Sequence, residues 1–492
     1  MSRVSSILTT LPLLALSACM VGPDYQKSSF DAPKTWVASD ISSLAVDSKH
    51  APEELSSWWK VFGDDVLCEV VRRAIENNFD LQTARSRIEQ AAATLGMRKS
   101  GLWPTLDADA SFREGASPLN ASARQSYGWG ATAGWEIDIF GGVRRGIEIS
   151  EQDYRASLAD AVATRVKITA DVARAYFTYR AYQAQLQITK ENLQAQMKTY
   201  EITARRKANG LVSQLDVVQA AAEVSSTNAQ LPKIEENKEL ALRALELLVG
   251  VRSGELSGLL SEDKPLPHLE NFIPVGVPAQ LVQRRPDIIA AEHRIHAAVA
   301  AIGEAEADFY PRFSITGTIS YDTPKIGGIV SNPYGSWSVG PTATWNIFQA
   351  GKTVNNVKLQ EAVLKEVKIS WQLTVYTAIK EVEDALVSTV KERERIMLLN
   401  TLVSDNKKAY ELSKTLYSAG EIEFLDLLVT QRQLLSSQQN QISSRMDFVN
   451  NVVSLYKALG GGWNGFSSDE KTNGQTTLPD DGEGVGEISD RG

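Results

Sequence analysis

The stretch Tyr410–Gln431, YELSKTLYSAGEIEFLDLLVTQ, has an earlier copy in this chain of 492 residues. The copy is Tyr200–Gln219, YEITARRKANGLVSQLDVVQ. Residues recur 210 positions apart at Tyr200 and Tyr410, Glu201 and Glu411, Gly210 and Gly420, Leu215 and Leu425, and Asp216 and Asp426. A glycine that follows a periodic run adopts the left-handed conformation that ends a helix. Each copy therefore predicts the bend of a long helical hairpin.

A second repeated segment precedes each hairpin, at a spacing of 207 positions. Its residues are Asp80, Ala84, Arg87, Ile88, Ala91, Ala93, Gly96 and Pro104, which recur as Asp287, Ala291, Arg294, Ile295, Ala298, Ala300, Gly303 and Pro311. Each copy predicts an alanine-rich helix that ends before the proline, because proline cannot continue a helix. The chain thus contains an internal two-fold repeat, with copies at 63–250 and 278–460 and a linker at 251–277.

Alternating residues after each proline predict strand pairs at about 105–140 and 312–348. In 127–139 the odd positions are mostly apolar, and the even positions are polar or glycine, which is the period of a two-faced strand. Such strands fit either a soluble sandwich or a transmembrane barrel. The tryptophans near the strand ends, Trp129, Trp135, Trp337 and Trp345, are typical of an aromatic girdle and favour the barrel.

Four strands cannot close a membrane barrel, which needs at least about eight. Open sheet edges in lipid would leave backbone groups without hydrogen bonds. We therefore expect an oligomer. The strand pattern does not determine the number of its subunits.

Long helical segments follow each strand pair. Residues 142–250 contain one proline, Pro232, and residues 351–460 contain none. Apolar positions between 158 and 186 form two seams at spacings of three and four, so this helix has two neighbours. A helix from 144 to 209 would be about 100 Å long. The pattern predicts a tube of coiled coils, with an ordinary cytosolic coiled coil as the alternative.

The residues that could carry chemistry predict no catalytic site, metal or cofactor. The net charge of −9 argues against nucleic acid as a partner. Gly351-Lys352-Thr353 imitates the end of a phosphate loop but lacks the first glycine of that motif. His293 and His296 are three positions apart, without an evident third metal ligand, and we expect them to be polar side chains on the protein surface.

The N-terminus reads as a signal peptide over 1–18, with Arg3 followed by an apolar core too short to span a membrane. Leu16-Ser17-Ala18-Cys19 resembles the bacterial lipobox, in which Cys19 receives the lipid. A signal peptide with an incidental cysteine is the alternative. Residues 19–62 predict an extended strap, and the acidic tail 461–492 predicts disorder.

Four motifs resemble the TolC-like outer-membrane factors, the efflux lipoproteins of tripartite RND-type pumps. They are CMVGPDY at 19–25, WWKVFGD at 58–64, NFDL at 78–81 and RRPD at 284–287. The resemblance covers nearly all of 19–460. It implies an α+β membrane protein, in which a homotrimer closes a twelve-stranded barrel that continues as a helical coiled-coil barrel.

The resemblance also implies a function, which is a passive exit duct for drugs or other small toxic compounds. Its partners would be a periplasmic adaptor and an inner-membrane transporter. The protein would be lipid-anchored and inserted in the outer membrane and would extend into the periplasm. Channels for type I protein secretion are the alternative within transport. An envelope enzyme would need a catalytic cluster, and a structural tether has no use for amphipathic strands.

In the resembled family, the hairpin tips close the resting channel and meet the adaptor. This maps the adaptor-facing tips onto Gly210, Leu211, Val212, Ser213, Gly420 and Glu421. It maps the gate onto Asp216, Tyr417, Leu425, Asp426, Leu428 and Val429.

We expect an acidic ring of Asp426 with an apolar closure from Leu425, Leu428 and Val429. Two positions depart from TolC, since Val429 replaces a second aspartate and Ile422 replaces a latching arginine. The alternative is that Asp216 and Asp426 only favour the start of a helix through its dipole.

Overall fold

The computed structural model describes residues 20–30, 36, 55–117, 120–267, 284–324 and 335–463. The chain divides into two compact units. We call the first the strand unit, which contains the described residues of Met1–Phe30, Ser86–Ala159 and Ile289–Thr374. The second, the hairpin unit, contains those of Asp31–Arg85, Asp160–Ile288 and Val375–Gly492.

In each half of the chain, the described residues form helix before a strand pair and two long helices after it. The helices are α1 (Asp65–Asn77), α2 (Phe79–Ser100), α3 (Gly142–Ala208), α4 (Gln214–Val249), α5 (Pro286–Ala307), α6 (Lys352–Ala419) and α7 (Phe424–Ala458). Two of them are very long, with 67 residues in α3 and 68 in α6. The interior proline, Pro232, lies inside α4 without ending it.

The four strands form one antiparallel sheet. Their bounds are β1 (Thr105–Ser117), β2 (Asn120–Ile137), β3 (Arg312–Thr323) and β4 (Gly335–Thr344), and their order in the sheet is β1-β2-β3-β4. Within the described residues, β1 and β4 are therefore the edges. The β2–β3 pairing joins the two halves of the chain, with Trp129 opposite Tyr321 and Gly134 opposite Thr316.

The sheet has one polar face and one apolar face, because side chains alternate along each strand. One row across the sheet contains Asp107, Thr132, Thr318 and Ser338. The neighbouring row, on the other face, contains Ala108, Ala131, Ile319 and Trp337. Large side chains of the apolar face remain exposed, including Trp337 at 76% and Val339 at 66%. An apolar face of this kind has its partner outside the single chain.

The hairpin unit packs the first part of the linker against α3. Arg180 on α3 donates to the Glu262 carbonyl at 2.6 Å, and Leu256 and Leu260 are fully buried. Tyr176 donates to the Asp64 carboxylate, and burial raises the pKa of this phenol, with the bond to Asp64 adding to the effect. The described part of the linker is thus fixed to the helices.

Two boundary expectations need correction in this unit. Trp58–Phe62, placed at the end of the strap, is a 3-10 helix whose aromatic side chains are buried. The tail does not begin at 461, because Gly462 donates to the Leu55 carbonyl at 2.8 Å and Trp463 is only 3% exposed. The signal segment, Cys19, residues 268–283 and the tail beyond 463 lie outside the described residues.

No helix among the described residues has both the length and the apolar character to cross a membrane.

Candidate functional site

The first hairpin bend, between α3 and α4, is closed by backbone geometry and a capping box. Gly210 has a φ of 73°, and the amide of Leu211 donates to the Arg206 carbonyl at 2.9 Å. At the start of α4, Ser213 accepts from the Asp216 amide, and the Asp216 carboxylate accepts from the Ser213 amide. Asp216 therefore has a capping role here, through hydrogen bonds that the helix-dipole alternative did not specify.

The second bend, between α6 and α7, differs at its helix start. Gly420 has a φ of 83°, and the amide of Glu421 donates to the Leu416 carbonyl at 3.0 Å. The N-cap residue is Glu423, whose side chain makes no cap hydrogen bond. Among the described residues, the exposed Asp426 carboxylate has no hydrogen-bond or ion-pair partner, so it is free to act on solvent ions.

An apolar cluster lies behind the bends, and the second hairpin contributes most of it. Its buried members are Ala220, Tyr410, Tyr417, Phe424, Leu427, Leu428 and Leu434. This corrects the expectation for Leu428, which is only 4% exposed and packs inside the chain. Leu425 and Val429, on the other side of the same helix turn, are 55% and 45% exposed. An apolar closure formed by this chain's surface can use those two residues but not Leu428.

Tyr417 links the second hairpin to the first. Its hydroxyl lies 3.1 Å from the Thr203 hydroxyl, and its ring is 2% exposed. The Arg206 guanidinium stands over that ring at 4.6 Å and donates to the Tyr417 carbonyl. Thr203 and Arg206 are contacts that the sequence patterns did not reveal.

A salt bridge joins the hairpins further from the bends. Both Nε and Nη2 of Arg432 on α7 donate to Glu223 on α4, at 2.9 and 2.6 Å. Glu223 is 8% exposed, so the ion pair with Arg432 offsets the cost of burying its carboxylate.

The remaining predicted tip residues lie at or beside the bends. Leu211 is 65% exposed, Ser213 and Glu421 are exposed, and Val212 is half-buried. These side chains are accessible to another protein.

In the strand unit, the strap that follows Cys19 is fixed from its first described residues. Val21 donates to the Phe140 carbonyl at 3.1 Å. Arg145, which is 1% exposed, donates to the Val21 and Gly22 carbonyls and to Asp24. The opening motif is thus bound beside the end of β2.

Of the four tryptophans predicted for an aromatic girdle, two donate to backbone carbonyls and a third stacks on a tyrosine. Trp135 and Trp345 donate their indole N–H to the carbonyls of Leu102 and Phe309, at 3.0 and 2.9 Å. Each of these bonds joins a strand end to the turn that follows a helix. Trp129 stacks on Tyr321 with ring centroids 4.6 Å apart.

The two histidines are half-buried and hydrogen-bonded, so they are not simply polar side chains in contact with solvent, as the sequence suggested. His293 Nδ1 lies 2.8 Å from Gln152 and His296 Nε2 lies 2.8 Å from Glu148. Burial lowers the pKa of His293 to about 4, helped by the charges of Arg155 and His296. Within the described residues there is no group of three side chains suited to bind a metal ion.

Comparison with known proteins agrees with this architecture. Residues 70–251 and 277–461 match the model of the outer membrane efflux protein family. The solvent efflux pump outer membrane protein SrpC of Pseudomonas putida is 31% identical over 459 residues, which cover 92% of this chain and 97% of the relative.

Solved channels have the same fold. The outer-membrane channel OprN superposes with a TM-score of 0.82 at 29% identity, covering 91% of this chain and all of the other. The Campylobacter jejuni CmeC outer membrane channel gives 0.81 at 26% identity, covering 92% and 97%. The predicted TolC-like α+β channel fold is confirmed, and the efflux relatives do not favour the protein-secretion alternative. This chain belongs to the outer membrane efflux protein family.

Proposed function

We propose that this chain is the outer-membrane exit duct of a tripartite efflux system. It conducts drugs, solvents or other small toxic compounds passively from an RND-type inner-membrane transporter and a periplasmic adaptor to the exterior. On this proposal it carries no enzymatic activity. The observation that carries the proposal is the two-faced, four-stranded sheet in a chain of this family.

The sheet supports assembly as a homotrimer. In lipid, the free edges of β1 and β4 would leave backbone groups unpaired at a cost of several kcal/mol each, roughly. Three copies supply twelve strands, which closes the sheet and places its polar face around water and its apolar face toward lipid.

The strap supports lipid attachment at Cys19. Because Val21 and Gly22 are bound next to the end of β2, a lipid on the preceding residues would enter the membrane beside the sheet. More than one acyl chain makes such an anchor stable. The exposed bend residues would meet the adaptor, with Leu211 as the largest apolar contact.

The free carboxylate of Asp426 supports an acidic ring at the closed end of the duct. Three carboxylates roughly 7 Å apart repel by about 2.4 kcal/mol per pair at an effective dielectric of 20. Such a ring attracts cations and binds multivalent ones, and the exposed Leu425 and Val429 provide the apolar closure beside it.

Planar-bilayer recording tests the proposal. Asp426→Ala should lower cation selectivity and the block by trivalent cations, whereas Val429→Asp should strengthen both. Asp216→Ala is the matched control, because that carboxylate closes a capping box. It should weaken the helix start, because one of the two capping-box hydrogen bonds is lost, and leave the block unchanged. Unchanged conductance, selectivity and block in both ring variants would place the gate elsewhere.

Native mass spectrometry of the purified protein tests assembly and anchor together. The expected mass is that of a trimer in which each chain begins at a lipidated Cys19. A monomer, or an unmodified Cys19, would contradict the corresponding part of the proposal.

A further inference from the structure

Arg206 lies near the end of α3 but makes its contacts with the other hairpin. We propose that Arg206 is a positioning residue that clasps the end of α6 and holds the second bend against the first. This role rests on the proposed function, because it assumes a gate at the second bend. Arg206 would regulate that gate.

The clasp grips Tyr417 at two places. Arg206 Nη1 donates to the Tyr417 carbonyl, and the guanidinium covers the Tyr417 ring at 4.6 Å. Thr203, one turn earlier on α3, lies 3.1 Å from the Tyr417 hydroxyl. The backbone and the side chain of one residue are therefore both held by α3.

The position of the carbonyl explains why a cation is needed. The Tyr417 carbonyl lies in the last turn of α6 and also accepts from the Gly420 amide at 3.0 Å. A helix C-terminus carries partial negative charge, which a cation stabilises. The last turn of α6 has no basic residue of its own, whereas the last turn of α3 has three. Arg206 therefore supplies the missing charge across the hairpins.

The bend itself leaves room for this guanidinium. A β-carbon on Gly420 would lie 3.1 Å from Arg206 Nη2, which is tighter than ordinary van der Waals contact. The guanidinium thus rests directly on the left-handed turn that precedes Asp426.

Apart from the Arg206 contacts, apolar packing does little to hold the end of α3 against the second hairpin. The buried face of α3 above Arg206 is polar and repeats at spacings of three and four; it consists of Thr189, Asn192, Gln196, Thr199 and Thr203. Of the residues packed on the apolar cluster, only Ile202 comes from α3. Gln196 is 2% exposed, and its amide atoms have no partner among the described residues. A polar seam separates at a lower cost than an apolar one, because water can replace its contacts.

Loss of Arg206 should consequently free the second bend while the helices remain folded. Arg206→Gln removes the charge, and the matched control is Arg205→Gln on the preceding, exposed position, where Nε is 3.4 Å from the Glu201 carbonyl of its own helix. Arg206→Lys keeps the charge at the helix end without the planar group.

Hydrogen exchange and bilayer conductance then test the clasp separately. In Arg206→Gln, the Gly420 and Glu421 amides should exchange about tenfold faster, the effect of losing one charge-assisted bond. The open fraction of the channel should rise by a similar factor. Arg205→Gln should match the wild type in both measurements, and Arg206→Lys should recover most of the change.

Equal exchange rates in Arg206→Gln and Arg205→Gln would overturn the clasp. Faster exchange with an unchanged open fraction would overturn its role in the gate, provided that Asp426→Ala still alters cation block. If the wild-type protein conducts no ions, the proposed function fails, and the exchange rates still decide whether the clasp exists.

Discussion

Replacing Gly250 by alanine should loosen the end of α4 far more than the same change at Gly210 loosens the first bend. Both glycines have left-handed backbone, with φ values of 77° and 73°. A β-carbon at Gly210 would meet nothing within 4 Å, whereas at Gly250 it would lie 2.3 Å from the Asn77 carbonyl oxygen. Both variants therefore carry the conformational cost of a left-handed alanine, and only Gly250→Ala adds a steric collision.

The magnitude follows from what the collision displaces. Left-handed alanine costs about 1–2 kcal/mol at either position. At Gly250, Asn77 must also move, and the adjacent Asn78 donates to the Leu248 carbonyl at 2.7 Å and caps α2 through the Asp80 and Leu81 amides. Losing a buried hydrogen bond costs about 1–3 kcal/mol. We expect about 2–5 kcal/mol at Gly250, combining those two ranges.

Hydrogen exchange of the purified protein measures both effects locally. In Gly250→Ala, the Asp80 and Leu81 amides should exchange more than about thirtyfold faster, since 1.4 kcal/mol corresponds to tenfold. In Gly210→Ala, the amides of the first bend should accelerate less. Asparagine tolerates left-handed backbone, so Gly210→Asn should be nearly neutral while Gly250→Asn still suffers the collision. Wild-type exchange at Asp80 and Leu81 in both Gly250 variants would refute the reasoning.

Two further predictions concern buried charge. His293, with a pKa of about 4 in the fold against 6.5 unfolded, is neutral when folded; its contribution is complete above pH 6.5 and is lost as pH falls toward 4, by about 2–3 kcal/mol. His293→Asn should make the melting temperature fall less between pH 7 and 4.5, and parallel pH profiles would contradict this. Arg432→Gln leaves the Glu223 carboxylate buried alone and should cost about 1–3 kcal/mol in denaturant unfolding. Adding Glu223→Gln should recover most of the loss, because no buried charge then remains, and an equal loss in the double variant would exclude this cause.

Local patterns predicted the parts of this fold that local physics determines. Alternation in 127–139 predicted a two-faced strand, and the structure places 127–137 in β2 with its two different rows. Gly210 and Gly420 predicted bends because only the left-handed region ends a helix in that way. The opening, WWKVFGD, NFDL and RRPD motifs led to the correct family.

Contacts between distant segments were not predictable in the same way. Leu428 and Val429 are adjacent and both apolar, and only the position of the neighbouring helices decides that Leu428 is buried. Arg206 and Tyr417 are 211 positions apart, and their contact uses a backbone carbonyl, which no residue pattern displays. The folded region extends past Gly460 because the ring of Trp463 is buried, although the surrounding sequence is polar and rich in glycine.

The two acidic tip residues show how a difference at one neighbouring position gives the two copies of the repeat different properties. Asp216 and Asp426 occupy equivalent positions, yet Ser213 engages the first in a capping box while Glu423 leaves the second unpaired. Glu423→Ser should therefore give Asp426 a capping partner and stabilise the start of α7 by about 1 kcal/mol. It should also weaken trivalent-cation block although Asp426 is still present, because the carboxylate then turns toward its own helix. Glu423→Gln removes the same charge without a good cap, so it controls for the loss of Glu423 itself. Equal block in the serine and glutamine variants would show that capping does not decide which of the two aspartates acts on ions.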